Sequence, residues 1–595
     1  MKRFFLALLT SAAAVALAVP THATDMNKTV RVAFQVDVTG FDPAATSDLY
    51  SAHINNAIFG NLWEFDYYVR PVRFRPFLAE SMPEISADGM TWKVRLKKGL
   101  YFSNDPVFKG KKREATAEDL IYAWKRMLDP KIISPKAWEI NGKFIGADAL
   151  TSEAKASGKF DYDKPIEGLK AIDRYTVEMK LVKPAYTMVD LMQQYNWVPV
   201  AREVIEAYRD VQGRAQGNPV GVGPYMIKQW IKGSKIVLTR NPNFAIGTFP
   251  TDGEAADAET LARYKGQSLP IVGNIEVSII EEANPRLLSF KSGALDYEFV
   301  GTDLIGNVVK DGKLDAAYAD KGVRHQRALE SSIAYDYFNL EDATVGGYTL
   351  DKIALRRAII MSFPTDQMIK TVWRNQATPA NQIIPATQSG HDPKKPIVSS
   401  YDLELANALL DKFGYKDKDG DGWRDMPDGS PLLITRSSTP RALDREKDEL
   451  WKKAFDSIKI KLQFNNQKWP DLIKQARAKQ LQFWDLGWIS DGLDGDSFVG
   501  LLYSKNSGQS NFANFNVALY DELYEKAQTL PLGPARWALY RTMNEIATVN
   551  SAWYPGVFRY QNVLMQPWLL NYKRNPYRQH FWHLMDIDES KRAKS

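Results

Sequence analysis

Between residues 450 and 489 the hydrophobic pattern changes period three times. Leu450, Trp451, Ala454, Phe455 and Ile458 recur at the spacing of one helix face. Ile460, Leu462 and Phe464 then alternate with Lys461 and Gln463 as a strand does. Pro470 opens another helix, and Phe483-Trp484-Asp485-Leu486-Gly487-Trp488-Ile489 reads as a second strand. Helix–strand–helix–strand in so short a span implies a right-handed parallel crossover, hence an α/β sheet with helices on its faces. Open sheets of this kind bind ligands beyond the carboxyl ends of their strands. After Ile489 comes Ser490-Asp491-Gly492-Leu493-Asp494-Gly495-Asp496, a Gly-rich loop with three acids and the first candidate site.

At 595 residues the chain has room for about three to five domain-sized units of roughly 100–200 residues each. With 44% hydrophobic and 25% charged residues it has an ordinary globular balance, which excludes a disordered, fibrous or coiled-coil protein. The formal charge is +6, falling to +4 once Lys2 and Arg3 leave with an N-terminal leader, and the signs are mixed along the chain. No basic footprint for nucleic acid or an anionic membrane results. Cysteine is absent, so disulfides, thiolate metal sites, a cysteine nucleophile and a lipid-modified N-terminal cysteine are all excluded. Stability must come from a large packed core.

Residues 1–23 read as that secretory leader. Lys2 and Arg3 form the basic start, Phe4 to Val19 an apolar stretch, and Thr21-His22-Ala23 a small-x-small cleavage site. Sixteen apolar-region residues fall short of the roughly 20 needed to span a bilayer. The expectation is an exported, periplasmic protein cleaved near Ala23, with no membrane anchor and no lipid anchor.

Downstream, Val30, Val32, Phe34 and Val36 alternate as a strand, and Phe41-Asp42-Pro43 breaks it. Residues 51–63 read as helix. Residues 91–96 and 100–102 read as two hairpin strands, and Thr116 as the N-cap of a helix running through Met127. Residues 130–165 read as loop, and residues 175–181 as a strand. Several chemical signatures are missing: there is no phosphate loop, no GxSxG elbow and no HExxH. His580 and His583 are close in sequence, but without further ligands they read as surface or packing residues. Asp417, Asp419, Asp421, Asp425 and Asp428 occupy positions 1, 3, 5, 9 and 12 of a calcium loop. Asp stands where a bidentate Glu is preferred at position 12, and no clear helix comes after it, so the segment reads first as an Asp-Gly hairpin turn. No cofactor is indicated.

Several fragments, in order, carry a resemblance. They are Phe41-Asp42-Pro43 with Ile58-Phe59-Gly60-Asn61-Leu62; Phe77-Leu78-Ala79-Glu80-Ser81; Asp88-Gly89-Met90-Thr91-Trp92; and Leu96 to Phe102. Thr116-Ala117-Glu118-Asp119, Gly221-Val222-Gly223-Pro224-Tyr225, Leu238 to Phe244, Ser289 to Asp296 and Leu355-Arg356-Arg357-Ala358-Ile359 continue the series. From about Val30 to about Asp588 the sequence resembles the family 5 extracellular solute-binding proteins, the oligopeptide- and dipeptide-binding components of ABC importers. The resemblance implies a type II, cluster C-like α/β protein of two lobes that close on a ligand about a hinge. It places lobe I at 24–67, 197–330 and 559–595, an extra domain at 68–196 and lobe II at 331–558.

The resemblance also implies a site. Gly487-Trp488-Ile489-Ser490-Asp491 matches a strand end whose aspartate pairs with the ligand's α-amine, which makes Asp491 the amine partner. Gly487 and Ile489 would bond an extended peptide through their backbones, Trp488 would wall the pocket, and Tyr335 and Tyr337 would face the cleft. Some oligopeptide binders carry an arginine two residues before that glycine to hold the ligand's carboxylate; here the residue is Asp485. Asp485 either favours cationic or amidated ligands or forms a salt bridge with a nearby Arg or Lys. The implied partners are a peptide or small solute and permease subunits with a separate ATPase chain, the protein itself being a monomer and not an enzyme. The competing readings are a periplasmic ligand sensor and, third, an exported carboxylate hydrolase using Asp491, Asp494 and Asp496.

Overall fold

The computed structural model describes residues 24–310, 312–396, 401–490 and 492–593. The expected leader and Asp491 lie outside the described residues.

The apolar interior is divided. One core gathers Val30 to Tyr297 with Val563 to Ile587, and a second gathers Ile333 to Phe558. A small satellite core around Phe290 and Leu564 adjoins the first. Strands β1 (Asp25–Phe34), β2 (Tyr225–Ile231), β3 (Lys235–Arg240) and β4 (Val272–Ile279) form the first sheet, in spatial order β1-β4-β3-β2. β1 lies parallel to β4 and the remaining pairs are antiparallel. A second small sheet, built on Thr91–Arg95 and Thr176–Lys180, packs within the same first core.

The predicted break after β1 has a structural purpose. Asp42 is fully buried and accepts both Nη atoms of Arg126 at 2.7 Å, with the N–H groups of Ala44 and Ala215 as further donors. Burial pushes its carboxyl up, and the Arg126 guanidinium more than offsets that, leaving it below the usual carboxylate range. Two expectations for this region need correction. Within 130–165, Ala147–Ser157 form a helix, because Ala147, Leu150 and Ala154 make a narrow buried stripe between polar residues. Residues 100–102 are not a strand: Tyr101 makes only an isolated bridge to Glu114, and Thr91–Arg95 pairs with Thr176–Lys180 instead.

The second lobe contains the crossover expected from the sequence. Strands β5 (Ser332–Phe338), β6 (Leu433–Ser438), β7 (Lys461–Asn466), β8 (Phe483–Ile489) and β9 (Trp553–Met565) lie in the order β9-β5-β8-β6-β7. Helix α1 (Ala442–Ser457) links β6 to β7, and α2 (Trp469–Arg477) links β7 to β8. β7 and β8 are both parallel to β6, which lies between them. Trp451 of α1 is fully buried, 3.9 Å from the Phe363 ring and 4.9 Å from that of Phe483, so the helix is held by aromatic packing on the sheet. β9 ties the lobes together. Its N-terminal half pairs with β5, and its C-terminal half pairs with Tyr297–Val300 and Arg324–Leu329. Among the described residues no helix is long and apolar enough to cross a membrane.

Candidate functional site

The candidate site lies at the end of β8. β8 runs antiparallel to β5, with Ser332 opposite Ile489, Ala334 opposite Gly487 and Asp336 opposite Asp485. Those six residues share one face of the sheet; Ile333, Tyr335, Tyr337, Trp484, Leu486 and Trp488 share the other. Ser490 N–H donates to Ser331 O at 3.0 Å. In an antiparallel ladder this turns the backbone groups of residues 485, 487 and 489 toward the opposite edge of β8. β6 occupies that edge only at Phe483, through its bridge with Arg436. The strand edge at Gly487 and Ile489 therefore has no partner strand among the described residues. Both residues are exposed, Ile489 to 63%.

The face is covered at one end and bare at the other. Near Phe483, α1 closes over it with a buried charge network. Arg436 pairs with Asp336 at 2.5 Å, Asp485 at 3.0 Å and Asp448 at 3.1 Å, while Lys447 reaches Asp336 at 2.9 Å and Asp485 at 3.2 Å. Burial raises the Asp485 carboxyl, and Lys447 and then Arg436 pull it below its ordinary value. Of the two roles considered for Asp485, the structure displays the salt bridge. Past α1 the face is open at Gly487, where a methyl group would stand 3.6 Å from Arg559 Nη1. Arg559 also stands in the wall of a polar cavity of about 360 Å³, lined by Phe34, Tyr50, Glu298, Glu330 and His580 among others.

The loop after β8 docks on the first lobe. Asp190, in the one-turn helix Met188–Leu191, accepts Leu493 N–H at 2.9 Å and Asp494 N–H at 3.1 Å. The Leu493 side chain packs against the first core. Gln388 donates to Gly492 O at 2.9 Å from the second lobe. One carboxylate thus holds two backbone donors across the lobes, in the loop that carries Asp491. Replacing Asp190 with Ala is expected to weaken ligand binding about tenfold by destabilising the closed form, with little change in melting temperature. Calorimetric titration checks this, and unchanged affinity would remove Asp190 from closure.

Tyr335 and Tyr337 are corrected: they belong to the second core, not to the cleft. The β5 register puts them on the opposite face, both are 1% exposed, and Tyr335 stacks on Trp553 at 3.7 Å. Trp488 shares that face and is half-buried against the second core. Asp494 and Asp496 are both drawn to the buried Arg536, at 2.8 and 3.7 Å. Burial raises the Asp494 carboxyl to about 6 despite Arg536. His580 and His583 are buried packing residues: His580 Nδ1 lies 2.6 Å from Tyr297 Oη, and His583 Nε2 lies 3.2 Å from a Glu64 carboxylate oxygen.

Within the aspartate loop, carboxylate oxygens of Asp417, Asp419 and Asp425 converge within 4.8 Å. Asp421 instead pairs with Lys461, and Asp428 accepts from Ser430. Asp417 serves Gly420 and Gly422 N–H, and Asp425 serves Lys418 N–H, so these acids already satisfy the turn's own backbone. Arg559, Asp190 and Arg436 escape a reading of the sequence. No local pattern marks them, because each acts through a neighbour at least 49 positions away.

The model of the bacterial extracellular solute-binding proteins, family 5 Middle, matches residues 73–510. The chain belongs to this family. The oligopeptide-binding protein OppA of Bacillus subtilis is 24% identical over 75% of this chain and 72% of its own length. The periplasmic murein peptide-binding protein MppA of Escherichia coli is 26% identical over 77% of this chain and 76% of its own. Among solved structures, the ABC transporter-associated periplasmic binding protein DppA of Helicobacter pylori, in complex with the peptide STSA, superposes with a TM-score of 0.68 at 19% identity. That match covers 94% of this chain and 98% of DppA. The two-lobed α/β architecture is thus the fold of family 5 proteins.

Proposed function

We propose that this family 5 protein is the periplasmic substrate-binding component of an ABC importer, capturing a short peptide or a related amine-bearing solute between its lobes. The observation that carries the reading is the unpaired edge of β8 at Gly487 and Ile489. An extended chain laid along that edge gains main-chain hydrogen bonds without regard to its side chains, which suits a binder that accepts many sequences. Asp491, two positions beyond that strand in the sequence, supplies the carboxylate for the ligand's amine. Contacts to both lobes favour the closed form, and only the affinity difference between open and closed states drives closure. Membrane-embedded permease subunits then take the closed form, with ATP hydrolysis left to a separate chain and no chemistry done on the ligand here. Glu330–Ser331 and Phe558–Arg559 serve as the hinge crossings, and the protein acts as a monomer.

The edge can be tested apart from the amine partner. The Ile489 N–H points away from β5, so Ile489→Pro removes a donor the fold does not use. It is expected to weaken tripeptide binding about tenfold, as the loss of one hydrogen bond should, while Ile489→Ala stays near the parent. Equal affinities for both variants and the parent would remove the strand-edge reading.

A further inference from the structure

The small net charge of the chain hides a local excess on the first lobe, where three loops meet. Tyr208 donates from Oη to Asp105 Oδ1 at 3.0 Å, which joins residues 208–214 to residues 105–112. Arg214 donates through Nε and Nη2 to Ile132 O at 3.0 and 2.8 Å, which adds residues 129–133 to the group. Over these three segments six Lys and Arg stand against three Asp, so the surface they form is positive. Lys109, Lys111, Lys112, Lys131 and Arg209 are exposed and pair with no carboxylate among the described residues. Asp105, Asp129 and Asp210 serve instead the N–H groups of Val107, Lys131 and Gln212 in their own turns. The lysine-bearing turn is braced: Phe108 is buried, and Lys111 N–H closes on Phe108 O at 3.0 Å. Two aliphatic side chains protrude from the same loops. Val211 is 87% exposed and Ile133 71%. Ile133 also has a φ of 53°, a left-handed backbone that a β-branched residue rarely adopts. The fold thus holds an isoleucine out in water at a conformational cost, beside a set of unpaired cations. None of these residues lines the cleft cavity.

We infer that this face docks reversibly on an anionic phospholipid bilayer. Charge complementarity selects the occupant: a sheet of phosphate headgroups meets all five exposed cations at once, whichever way each lysine swings. The aliphatic tips supply the second signal, because Val211 and Ile133 gain by entering the boundary between headgroups and acyl chains. Cations alone describe a solvated surface, and two aliphatic tips alone bury little. Together they give weak, salt-sensitive attachment, which holds a soluble receptor near the membrane without anchoring it. The inference stands apart from the cleft and holds whatever solute the cleft takes.

The test sediments the full-length mature protein with vesicles of phosphatidylcholine and with an equimolar mixture of phosphatidylcholine and phosphatidylglycerol. The parent is expected to bind the mixture at least about tenfold more tightly, and added salt should weaken that binding. Each lysine at such a surface is worth about fivefold, so Lys109→Gln, Lys111→Gln and Lys112→Gln together should cost roughly a hundredfold. Because the chain has no cysteine, Val211→Cys creates a single labelling site. An environment-sensitive fluorophore there should shift to the blue on the mixed vesicles. The same label on Leu350→Cys, a position 72% exposed on the second lobe, should not shift. Melting temperatures establish that each variant is folded. A parent that binds neither vesicle or both alike overturns the inference, as does a triple variant that binds like the parent. A label at 211 that responds no differently from one at 350 overturns it as well. Each of these failures leaves the proposed role of the cleft standing.

Discussion

Arg436→Met unfolds the second lobe at markedly lower denaturant, with an expected loss of about 3–5 kcal/mol. The side chain is fully buried and faces three carboxylates, Asp336, Asp448 and Asp485, with Lys447 left as the cation in direct contact with the cluster among the described residues once it is gone. Methionine fills much of the volume, so the cost falls on the charges. A buried ion cluster adds modest net stability when intact, but removing one sign leaves the other uncompensated in a low dielectric. A pH dependence results. Burial already raises the Asp448 carboxyl, with Arg436 holding that rise in check. Without the cation the rise is larger. A carboxyl raised in the folded state contributes stability that is present at low pH and lost as pH rises through its folded value. The deficit of the variant should therefore be smallest near pH 4 and grow toward pH 7. Adding Asp336→Asn to the variant should recover part of the loss, as coupled neighbours do. Urea unfolding across pH measures both, and a variant with the parental midpoint at pH 7 would contradict this account of the network.

Asp491→Ala is the second large effect. An ammonium removed from water between two lobes needs a fixed negative partner, and truncating such a partner costs about 2–5 kcal/mol. Affinity for trialanine should fall at least about thirtyfold. Asn at 491 keeps the hydrogen bond but not the charge and should fall between parent and Ala. N-acetylated trialanine, which lacks the ammonium, should bind parent and Asp491→Ala alike. Undiminished binding of trialanine by Asp491→Ala would take the amine role away from this residue.

The two residues differ in how legible they are in the sequence. Asp491 is marked by its position after a strand in an α/β crossover, and the motif around it strengthens that reading. Arg436 carries no such mark. It lies on β6, and its partners come from β5, α1 and β8. Tyr335 and Tyr337 show the opposite failure. Alternation along β5 is readable, but which face becomes covered is not, and the stacking on Trp553 more than two hundred residues later decides it. The helix Ala147–Ser157 evades a sequence reading because its apolar stripe is only three residues wide.

Local periodicity determined which segments become strands and helices, that β7 and β8 run parallel, and that a Gly-rich acidic loop closes the crossover. Those properties depend on neighbours within a few residues, and the chain carries them directly. Only the tertiary structure decided that β6 covers β8 at Phe483 and leaves the far edge of Gly487 and Ile489 without a partner strand among the described residues, that Asp485 is salt-bridged, that Arg559 stands beside Gly487 and that Asp190 holds the loop. Each depends on which distant segment packs against which face, and strand period is the same on either side of a sheet.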